Sequence, residues 1–285
     1  MGKYKKVLVA YDGSASGMNA LLQSFRLATE EKSWITVATV VPTYEGDLDL
    51  IAVSDIHMAL RRPGEEILSR ANALAKKEGA LIKTILEEGE VYDRLVDLAE
   101  AENCGVIVMG RRGTSSAGGR SHIGSVTARV IGHSQRDVLV VPEETSIGWK
   151  KIMIATDGSR YSNLAVERAI DFAKSYGGSL TAVSVVDVPS EFYAEAPGAV
   201  DNLISNAKGF VADVKDKAAS RAVAASTFVG EGEAFGVITG LARKENIDVI
   251  VMGSHGRTGL RRLLMGSVTE KVIGHAACPV LIVKG

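Results

Sequence analysis

The segment Asp248–Ser267 reads DVIVMGSHGRTGLRRLLMGS, and its pattern decides the fold. The β-branched run Val249–Val251 predicts a buried strand that ends near Gly253. A basic loop follows, and a second glycine, Gly266, stands just before a predicted helix. A helix N-terminus presents unpaired backbone N–H groups and the positive end of the helix dipole. Strand, glycine loop and helix start together predict a site for an anion, above all a phosphate.

The chain is an internal duplication with a repeat of about 140 residues. KVLVAYDGS at Lys6–Ser14 returns as KIMIATDGS at Lys151–Ser159. Gly124–Glu143 likewise aligns with Gly266–Gly285, so the two halves correspond from end to end. Missing such a repeat would misassign the whole fold, so each half is interpreted against the other.

The segment that connects the two repeats predicts the domain boundaries. The polar segment Glu143–Trp149 shows no periodic pattern, as expected of a linker. We predict a first domain over residues 1–143, a linker over 144–149 and a second domain over 150–285. A chain of 285 residues with 46% hydrophobic residues is long enough to bury two such cores.

Apolar runs alternate with helical patterns in each half. The first half is predicted to contain strands Val7–Tyr11, Ile35–Val41, Leu81–Leu86, Val106–Met109 and Val138–Val141, and helices Ser16–Glu31, Glu65–Lys77, Val91–Glu102 and Ser125–His133. Strands such as VIVM are apolar on both faces, which is typical of a parallel sheet covered by helices on both sides. This alternation predicts an α/β fold class, with two doubly wound, Rossmann-like domains in tandem.

Two stretches interrupt the alternation. Tyr44–Pro63 separates the second strand from the second helix, and Val188–Gly198 is its shorter counterpart. We interpret both as loops, either lids over a site or surface excursions. The second helix of the second half is clearly amphipathic, with apolar residues at helical spacing. These residues are Val200, Leu203, Ile204, Ala207, Val211 and Val214.

Charge and composition exclude several classes of protein. A net charge of -1 gives no general attraction to nucleic acid or to an anionic membrane. No apolar run approaches the roughly 20 residues of a membrane span, and the first residues lack a signal-peptide pattern. Cys104 and Cys278 occupy non-equivalent positions, so no disulfide framework is expected. We therefore expect a cytoplasmic protein without nucleic-acid or membrane partners.

Ligands of doubly wound sheets bind beyond the carboxyl ends of the strands, where the strand order reverses. Asp157, with Asp12 as its counterpart, ends the first strand of its half and could accept a hydrogen bond from a ribose or an adenine. The alternative is that both aspartates cap the following helix. Donors for phosphate are expected in the glycine loop of the second half, namely Ser254, Arg257 and Thr258. For Arg261 and Arg262 a solvated surface role is the simpler interpretation.

The spacing Gly253-x2-Gly256-x9-Gly266-Ser267 follows a strand-end aspartate and a valine pair that ends the second strand. This combination resembles the ATP-binding class of the universal stress protein family, and the duplication resembles its tandem form. The resemblance implies a five-stranded parallel sheet in each half, on a scaffold related to adenine-nucleotide α-hydrolases. It also implies ATP as the ligand, often with Mg²⁺ or Mn²⁺ on the phosphates.

Carried over by position, the resemblance assigns adenine and ribose to the strand ends and phosphates to the glycine loop. The second half would use Ala155, Thr156, Asp157, Val185, Met252, Gly253, Ser254, Gly256, Arg257, Gly266, Ser267 and Val268. The first half would use Ala10, Tyr11, Asp12, Val40, Met109, Gly110, Arg111, Gly113, Gly124, Ser125 and Val126. Its loop is one residue longer, which weakens the match. The resemblance further implies that the two halves pair through their last strands, and it leaves a homodimer open.

Several motifs are absent. There is no P-loop and no nucleophile elbow, and the histidines show no metal-ligand spacing. His133 and His275 end equivalent helices, where interaction with the helix C-terminus accounts for them. No residue stands out as a general base for attack on a γ-phosphate. We expect no catalytic site and no metal site built by side chains.

Three functions remain open. The leading hypothesis is an ATP-binding stress or signalling protein that acts through assembly or partner binding. The second is an adenylyl-transferring enzyme on a related scaffold, although the chain leaves no room for a substrate domain. The third is a binding module for an apolar ligand such as a lipid, covered by the two long loops.

Overall fold

The computed structural model describes residues 4–43, 56–113, 122–257 and 265–285. The first half contains β1 Lys6–Ala10, α1 Ala15–Glu31, β2 Trp34–Val41, α2 Ile56–Glu78, β3 Ile82–Glu88, α3 Val91–Ala101, β4 Val106–Gly110, α4 Ser125–His133 and β5 Asp137–Val141. The second half contains β6 Lys151–Ala155, α5 Arg160–Tyr176, β7 Ser179–Val186, α6 Ser190–Glu195, α7 Pro197–Ser220, β8 Ala225–Glu231, α8 Ala234–Glu245, β9 Val249–Gly253, α9 Ser267–His275 and β10 Val280–Val283. The predicted fold class is confirmed, and most predicted strand ends lie within two residues of the observed ones.

The strands form one sheet in the order β3-β2-β1-β4-β5-β10-β9-β6-β7-β8. Within each half every pair of neighbouring strands is parallel, and the order reverses beside the first strand of the half. The central strands β4, β5, β9 and β10 are buried along their whole length, because helices cover both faces. Each half therefore has a crevice at the carboxyl ends of its strands, where a doubly wound sheet binds its ligand.

The two halves meet through their last strands. β5 and β10 pair antiparallel, with Leu139 opposite Leu281. Both strands are apolar, so this pairing buries two edges that would otherwise be open to other chains. Because the pairing is antiparallel, the carboxyl ends of the strands in one half lie on the same side as the amino ends in the other. The two crevices consequently open at opposite ends of the sheet.

A buried ionic group lies where β5 begins, and we call its four residues the Asp137 cluster. Asp137 accepts hydrogen bonds from Tyr4 Oη at 2.6 Å and from the Lys284 backbone N–H at 2.9 Å. The Arg168 guanidinium lies 3.1 Å from the same carboxylate. Tyr4 and Asp137 belong to the first half, whereas Arg168 and Lys284 belong to the second, so the cluster fixes the halves to each other.

The linker is held in place by both halves. Asn19 Nδ2 on α1 donates to the carbonyls of Pro142 and Thr145 at 2.8 and 2.9 Å. Trp149 is buried and stacks on Phe172 of α5, with ring centroids 4.1 Å apart. Stacked aromatic pairs of this kind add to the free energy of area burial. Hydrogen bonds from α1 and the burial of Trp149 therefore attach the linker to both halves.

Two stretches predicted as loops are partly helical, and those predictions are wrong at these positions. Of Tyr44–Pro63, residues 56–63 form the start of α2, while 44–55 lie outside the described residues. Pro63 lies inside α2 although it lacks a backbone donor, and it lines the first crevice together with Leu60 and Gly64. Of Val188–Gly198, most residues form α6 and the start of α7. Pro197 suits the first turn of a helix, where its missing N–H is not needed.

The amino group of Lys284 provides a test of the buried interface. Burial lowers the pKa of Lys284 from 10.5 to about 8, and the attraction of Asp137 opposes this shift only in part. The folded chain therefore holds this proton less tightly than the unfolded chain. Below about pH 8 the folded chain bears the cost of burying a charged amino group. This cost disappears between about pH 8 and about pH 10.5, so the free energy of unfolding should rise there by at most about 3 kcal/mol. We expect Lys284→Met to remove this rise and to stabilise the chain near pH 7.

Denaturant unfolding of the native chain and of Lys284→Met, from about pH 7 to about pH 10, gives the free energy of unfolding of each. The contribution of Lys284 is the difference between these two free energies at each pH. The difference is needed because burial raises the pKa of the thiols Cys104 and Cys278, to about 11 and about 12. Those thiols lower the stability of both proteins above about pH 9. A difference between the proteins that stays constant over this range would contradict the prediction.

Among the residues described, none of the helices combines the length and the apolar character needed to cross a lipid bilayer.

Candidate functional site

The second half contains a cavity of about 880 Å³ at the carboxyl ends of β6, β7 and β9, which we call the second cavity. The N-terminus of α9 closes one side of it. Eleven of the twelve residues predicted for this half line it together, namely Ala155, Thr156, Asp157, Val185, Met252, Gly253, Gly256, Arg257, Gly266, Ser267 and Val268. The strand-end rule for doubly wound sheets therefore located this cavity from the sequence.

The first half contains a smaller cavity of about 420 Å³ in the equivalent place, which we call the first cavity. Ten of the eleven predicted residues line it, namely Ala10, Tyr11, Asp12, Val40, Met109, Gly110, Gly113, Gly124, Ser125 and Val126. The N-terminal part of α2 covers it with apolar side chains such as Leu60 and Ile67. The extra residue in this half's glycine loop lies among 114–121, outside the described residues.

Asp157 joins two loops at the mouth of the second cavity. Its Oδ1 accepts the Ser159 N–H at 3.0 Å, and its Oδ2 accepts the Arg257 N–H at 2.7 Å. The carboxylate thereby ties the turn after β6 to the glycine loop after β9. A carboxylate has about four acceptor positions, so the two backbone bonds leave capacity for a ligand hydroxyl or amino group.

The helix-cap alternative for the two aspartates is wrong. Ser159 is the N-cap of α5, and its hydroxyl accepts the Ser162 N–H. Ser14 is the N-cap of α1 in the first half, while Asp12 Oδ1 accepts the Ser14 N–H at 3.0 Å. Each aspartate thus sits two residues before the cap, where its carboxylate closes a short turn in place of capping.

The glycines of the loops have different roles. A β-carbon on Gly253 would lie 2.7 Å from the backbone carbon of Tyr161, so this glycine lets β9 approach α5. Gly110 is constrained in the same way by the start of α1. A β-carbon on Gly256 would lie 2.7 Å from Asp157 Oδ2. These three positions are accounted for by contacts within the protein.

Gly266 differs, because no contact with the described residues requires it to be glycine. Its backbone is extended at φ −66° and ψ 141°, which any residue adopts. A β-carbon there would make ordinary contacts, the nearest at 3.4 Å from the His255 Cα. Gly124 has the same backbone conformation, but a β-carbon there would make a tighter contact, 3.3 Å from the Arg112 Cα.

The helices that follow these two glycines begin without a side-chain cap. Gly266 and Gly124 are the N-caps of α9 and α4, whereas serine hydroxyls cap α5 and α1. Thr269 Oγ1 instead donates to the Gly253 carbonyl at 3.1 Å, which anchors the first turn of α9 to the end of β9. The backbone N–H groups of this turn are left to face the cavity, as at helix ends that bind phosphate.

Helix α7 supplies a wall of the second cavity that sequence reasoning missed. Leu203, Asn206 and Phe210 line the cavity from this helix. Leu203 belongs to the apolar positions predicted from helical spacing, and 37% of its surface is exposed because it faces the cavity. The Arg257 guanidinium lies 5.6 Å from the Phe210 ring centroid, a cation–π contact that holds it at the cavity mouth.

Two predicted site residues do not line their cavities. Ser254 is buried, and its hydroxyl lies 3.1 Å from His255 Nδ1. The Arg111 side chain leaves the first cavity and reaches carbonyl groups at the end of α9 in the other half. The neighbours His255 and Arg112 line the cavities in their place. Adjacent residues of a loop point in different directions, and the sequence alone did not distinguish them.

The remaining sequence predictions concern histidines, metals and basic residues. His133 Nδ1 and His275 Nδ1 each lie 2.8 Å from the carbonyl oxygen four residues earlier, in line with a role at the helix end. Within the described part of the chain no group of three or more histidines, cysteines or carboxylates is placed to hold a metal. The predicted donor Thr258 and the surface residues Arg261 and Arg262 lie outside the described residues.

A model of the universal stress protein family matches residues 3–142 and again residues 148–284. The chain belongs to the universal stress protein family. The two matches correspond to the two repeats, so the chain is a tandem member with one family domain in each half.

Single-domain relatives match one half at a time. A universal stress protein of Methanocaldococcus jannaschii is 40% identical over 140 residues, which span 48% of this chain and 82% of that protein. One of Bacillus subtilis is 31% identical over 150 residues, spanning 48% of this chain and 99% of that protein. A crystal structure of a universal stress protein from Archaeoglobus fulgidus superposes with a TM-score of 0.75 at 18% identity. It covers 99% of this chain and 97% of that one, which shows a shared fold over the whole length.

Proposed function

We propose that this universal stress protein binds ATP in the second cavity, with a second nucleotide in the first cavity. Binding would control assembly or contact with a protein partner, in place of efficient catalysis. The observation that carries the proposal is Gly266, which stands before the uncapped N-terminus of α9 and which no contact in the described ranges requires to be glycine. Glycine at that position lets phosphate oxygens reach the backbone N–H groups.

The rest of the second cavity suits the other parts of a nucleotide. Its inner wall includes Val183, Val185 and Ile238, which offer an apolar surface for a flat base. Asp157 stands between that wall and the glycine loop, where it can accept a ribose hydroxyl. Arg257 adds a positive charge at the mouth, where phosphates would leave the loop. A divalent cation, if present, would be held chiefly by the phosphates.

The titratable groups of the second cavity support binding more than hydrolysis. Asp157 accepts two backbone N–H groups, and Asp187 accepts the Ala234 N–H at 2.9 Å. The His255 ring lies against Tyr161, with centroids 5.4 Å apart. A general base must lie within hydrogen-bond reach of the attacking water. We propose at most slow hydrolysis, because Asp157 is assigned to the ribose, Asp187 holds the first turn of α8 and the His255 ring packs on Tyr161.

The nucleotide content of the purified protein tests the proposal. We expect denaturation to release adenine nucleotide that chromatography identifies and counts, at close to two per chain when both cavities are filled. Calorimetry with ATP and Mg²⁺ should show the same number of sites on nucleotide-free protein. A count of one would restrict the function to one cavity. No released nucleotide together with no ATP binding would refute the proposal.

A second candidate concerns the first cavity alone. Ala59, Leu60, Pro63 and Ile67 of α2 line it with apolar groups, which would also suit a small apolar ligand. Mass spectrometry of an organic extract of the same preparation used for the nucleotide count distinguishes an apolar ligand from a nucleotide in the first cavity. A lipid or other apolar molecule retained at one per chain, with nucleotide only in the second cavity, would support this candidate.

A further inference from the structure

Arg111 lies in the glycine loop of the first cavity but acts in the other half. Its Nη1 donates toward the carbonyls of Ala276 at 3.0 Å, Gly274 at 3.1 Å and Ile273 at 3.4 Å. These carbonyls belong to the C-terminal end of α9, which carries the negative end of the helix dipole. A cation there stabilises the helix and its orientation.

The backbone of Arg111 belongs to the first cavity. Its carbonyl accepts the Gly124 N–H at 2.9 Å, which closes the glycine loop at the start of α4. Its own N–H donates to Ser16 Oγ at 3.0 Å. A ligand that orders this loop will therefore also order the point from which the Arg111 side chain extends.

The opposite end of α9 forms the proposed phosphate site of the second cavity. The helix has nine residues, so its two ends are only about 13 Å apart. A phosphate at Gly266 and the Arg111 guanidinium would stabilise the same helix from its two ends. One short helix thus connects the glycine loop of the first cavity to the anion site of the second.

Only one of the two equivalent positions carries the link. Ser254 occupies the position in the second half that Arg111 occupies in the first, and its hydroxyl bonds locally to the His255 ring. The serine side chain is too short to span the interface to α4. The duplication thereby provides its own control residue, because the native second half carries serine at this position.

The charges near Arg111 indicate whether filling the first cavity strengthens or weakens its contact with α9. Burial lowers the pKa of Arg111, and repulsion from Arg112 lowers it further. Arg112 lines the first cavity, so an anion bound there would offset that repulsion. The Arg111 contact with α9 should become more stable when the first cavity is filled.

We propose that Arg111 is a coupling residue through which occupancy of the first cavity raises the affinity of the second cavity for its phosphate ligand. The proposal rests on the proposed nucleotide function. By linkage, occupancy of the second cavity raises the affinity of the first by the same factor.

Calorimetry with ATP and Mg²⁺ on the full chain tests the coupling. Four proteins are compared: the native chain, Arg111→Ser, Gly124→Val and the double variant. Gly124→Val is included because its side chain blocks the first cavity. We expect each single substitution to weaken the second cavity about 3- to 10-fold, and the double variant to be no weaker than either single one. Arg129→Ser is the control, because Arg129 on α4 pairs with the exposed Glu90 and leaves α9 untouched. Equal second-cavity affinity in Arg111→Ser and the native chain would overturn the proposal.

Hydrogen exchange separates failure of this link from failure of the proposed function. Without any ligand, Arg111→Ser should speed exchange of the backbone amides of α9 and leave those of α4 unchanged. Absence of ATP binding in the native chain would refute the nucleotide function alone. Unchanged exchange in α9 would overturn the link whatever the ligand proves to be.

Discussion

Gly266→Val is expected to abolish nucleotide binding in the second cavity while leaving the fold intact. The valine fits the extended backbone of this position, and its β-carbon makes only ordinary contacts with the part of the chain that the structure describes. The side chain would, however, occupy the space through which phosphate oxygens reach the first turn of α9. Losing several charge-assisted hydrogen bonds at once should weaken ATP binding at least about 100-fold.

The matched control is Gly124→Val, which should remove the first site and retain the second at about 3- to 10-fold lower affinity. Calorimetry with ATP and Mg²⁺ on both variants should show one remaining site per chain. Thermal unfolding should show little change for Gly266→Val and a modest loss for Gly124→Val, whose β-carbon would lie 3.3 Å from the Arg112 Cα. Gly253 is unsuitable for this purpose, because any side chain there would collide with the backbone of Tyr161. An unchanged number of sites and unchanged affinities in Gly266→Val would show that the nucleotide, if bound, does not use α9.

Asp137→Ala is expected to cause the largest loss of stability. The carboxylate is buried and accepts from the Tyr4 hydroxyl, the Arg168 guanidinium and the Lys284 N–H. Alanine would leave the Arg168 guanidinium without its counter-charge and would remove the carboxylate that accepts from the Tyr4 hydroxyl and the Lys284 N–H. Breaking a buried ion pair from one side typically costs about 3 to 5 kcal/mol. Since Arg168 is partly exposed, we expect about 3 kcal/mol, near the lower end of that range.

Denaturant unfolding followed by tryptophan fluorescence measures this loss close to the cluster. Trp149 stacks on Phe172 and reports the interface, whereas Trp34 is 72% exposed and should change little. Asp213→Ala is the control, because its ion pair with Lys217 on α7 is exposed and should contribute less than about 1 kcal/mol. If both substitutions cost the same, the Asp137 cluster does not hold the two halves together.

The duplication made much of this protein predictable. Comparing the Asp12 and Asp157 repeats established the domain organisation, and strand periodicity established the α/β class. The general rule for doubly wound sheets then brought the strand ends and the glycine loops to one place in each half. These features depend on local pattern and on topology, which recur in every copy of the fold.

Side-chain direction could not be predicted in the same way. Arg111 and Arg112 are neighbours of the same type, yet one crosses to α9 and the other lines the first cavity. Phe210 is 53 residues from Asp157 in sequence (210 − 157), and it reaches the second cavity only because α7 packs over that edge of the sheet. Periodicity does not report such contacts.

The sequence by itself determined the repeat, the order of strands and helices, and the glycines and aspartates that gather at the strand ends. Only the tertiary structure decided that Gly253 is required by packing against Tyr161, whereas no contact with the described residues requires glycine at Gly266. It alone placed Arg111 across the boundary between the halves. The physical reason is that local spacing controls backbone conformation, whereas the role of a side chain depends on atoms brought next to it from distant parts of the chain.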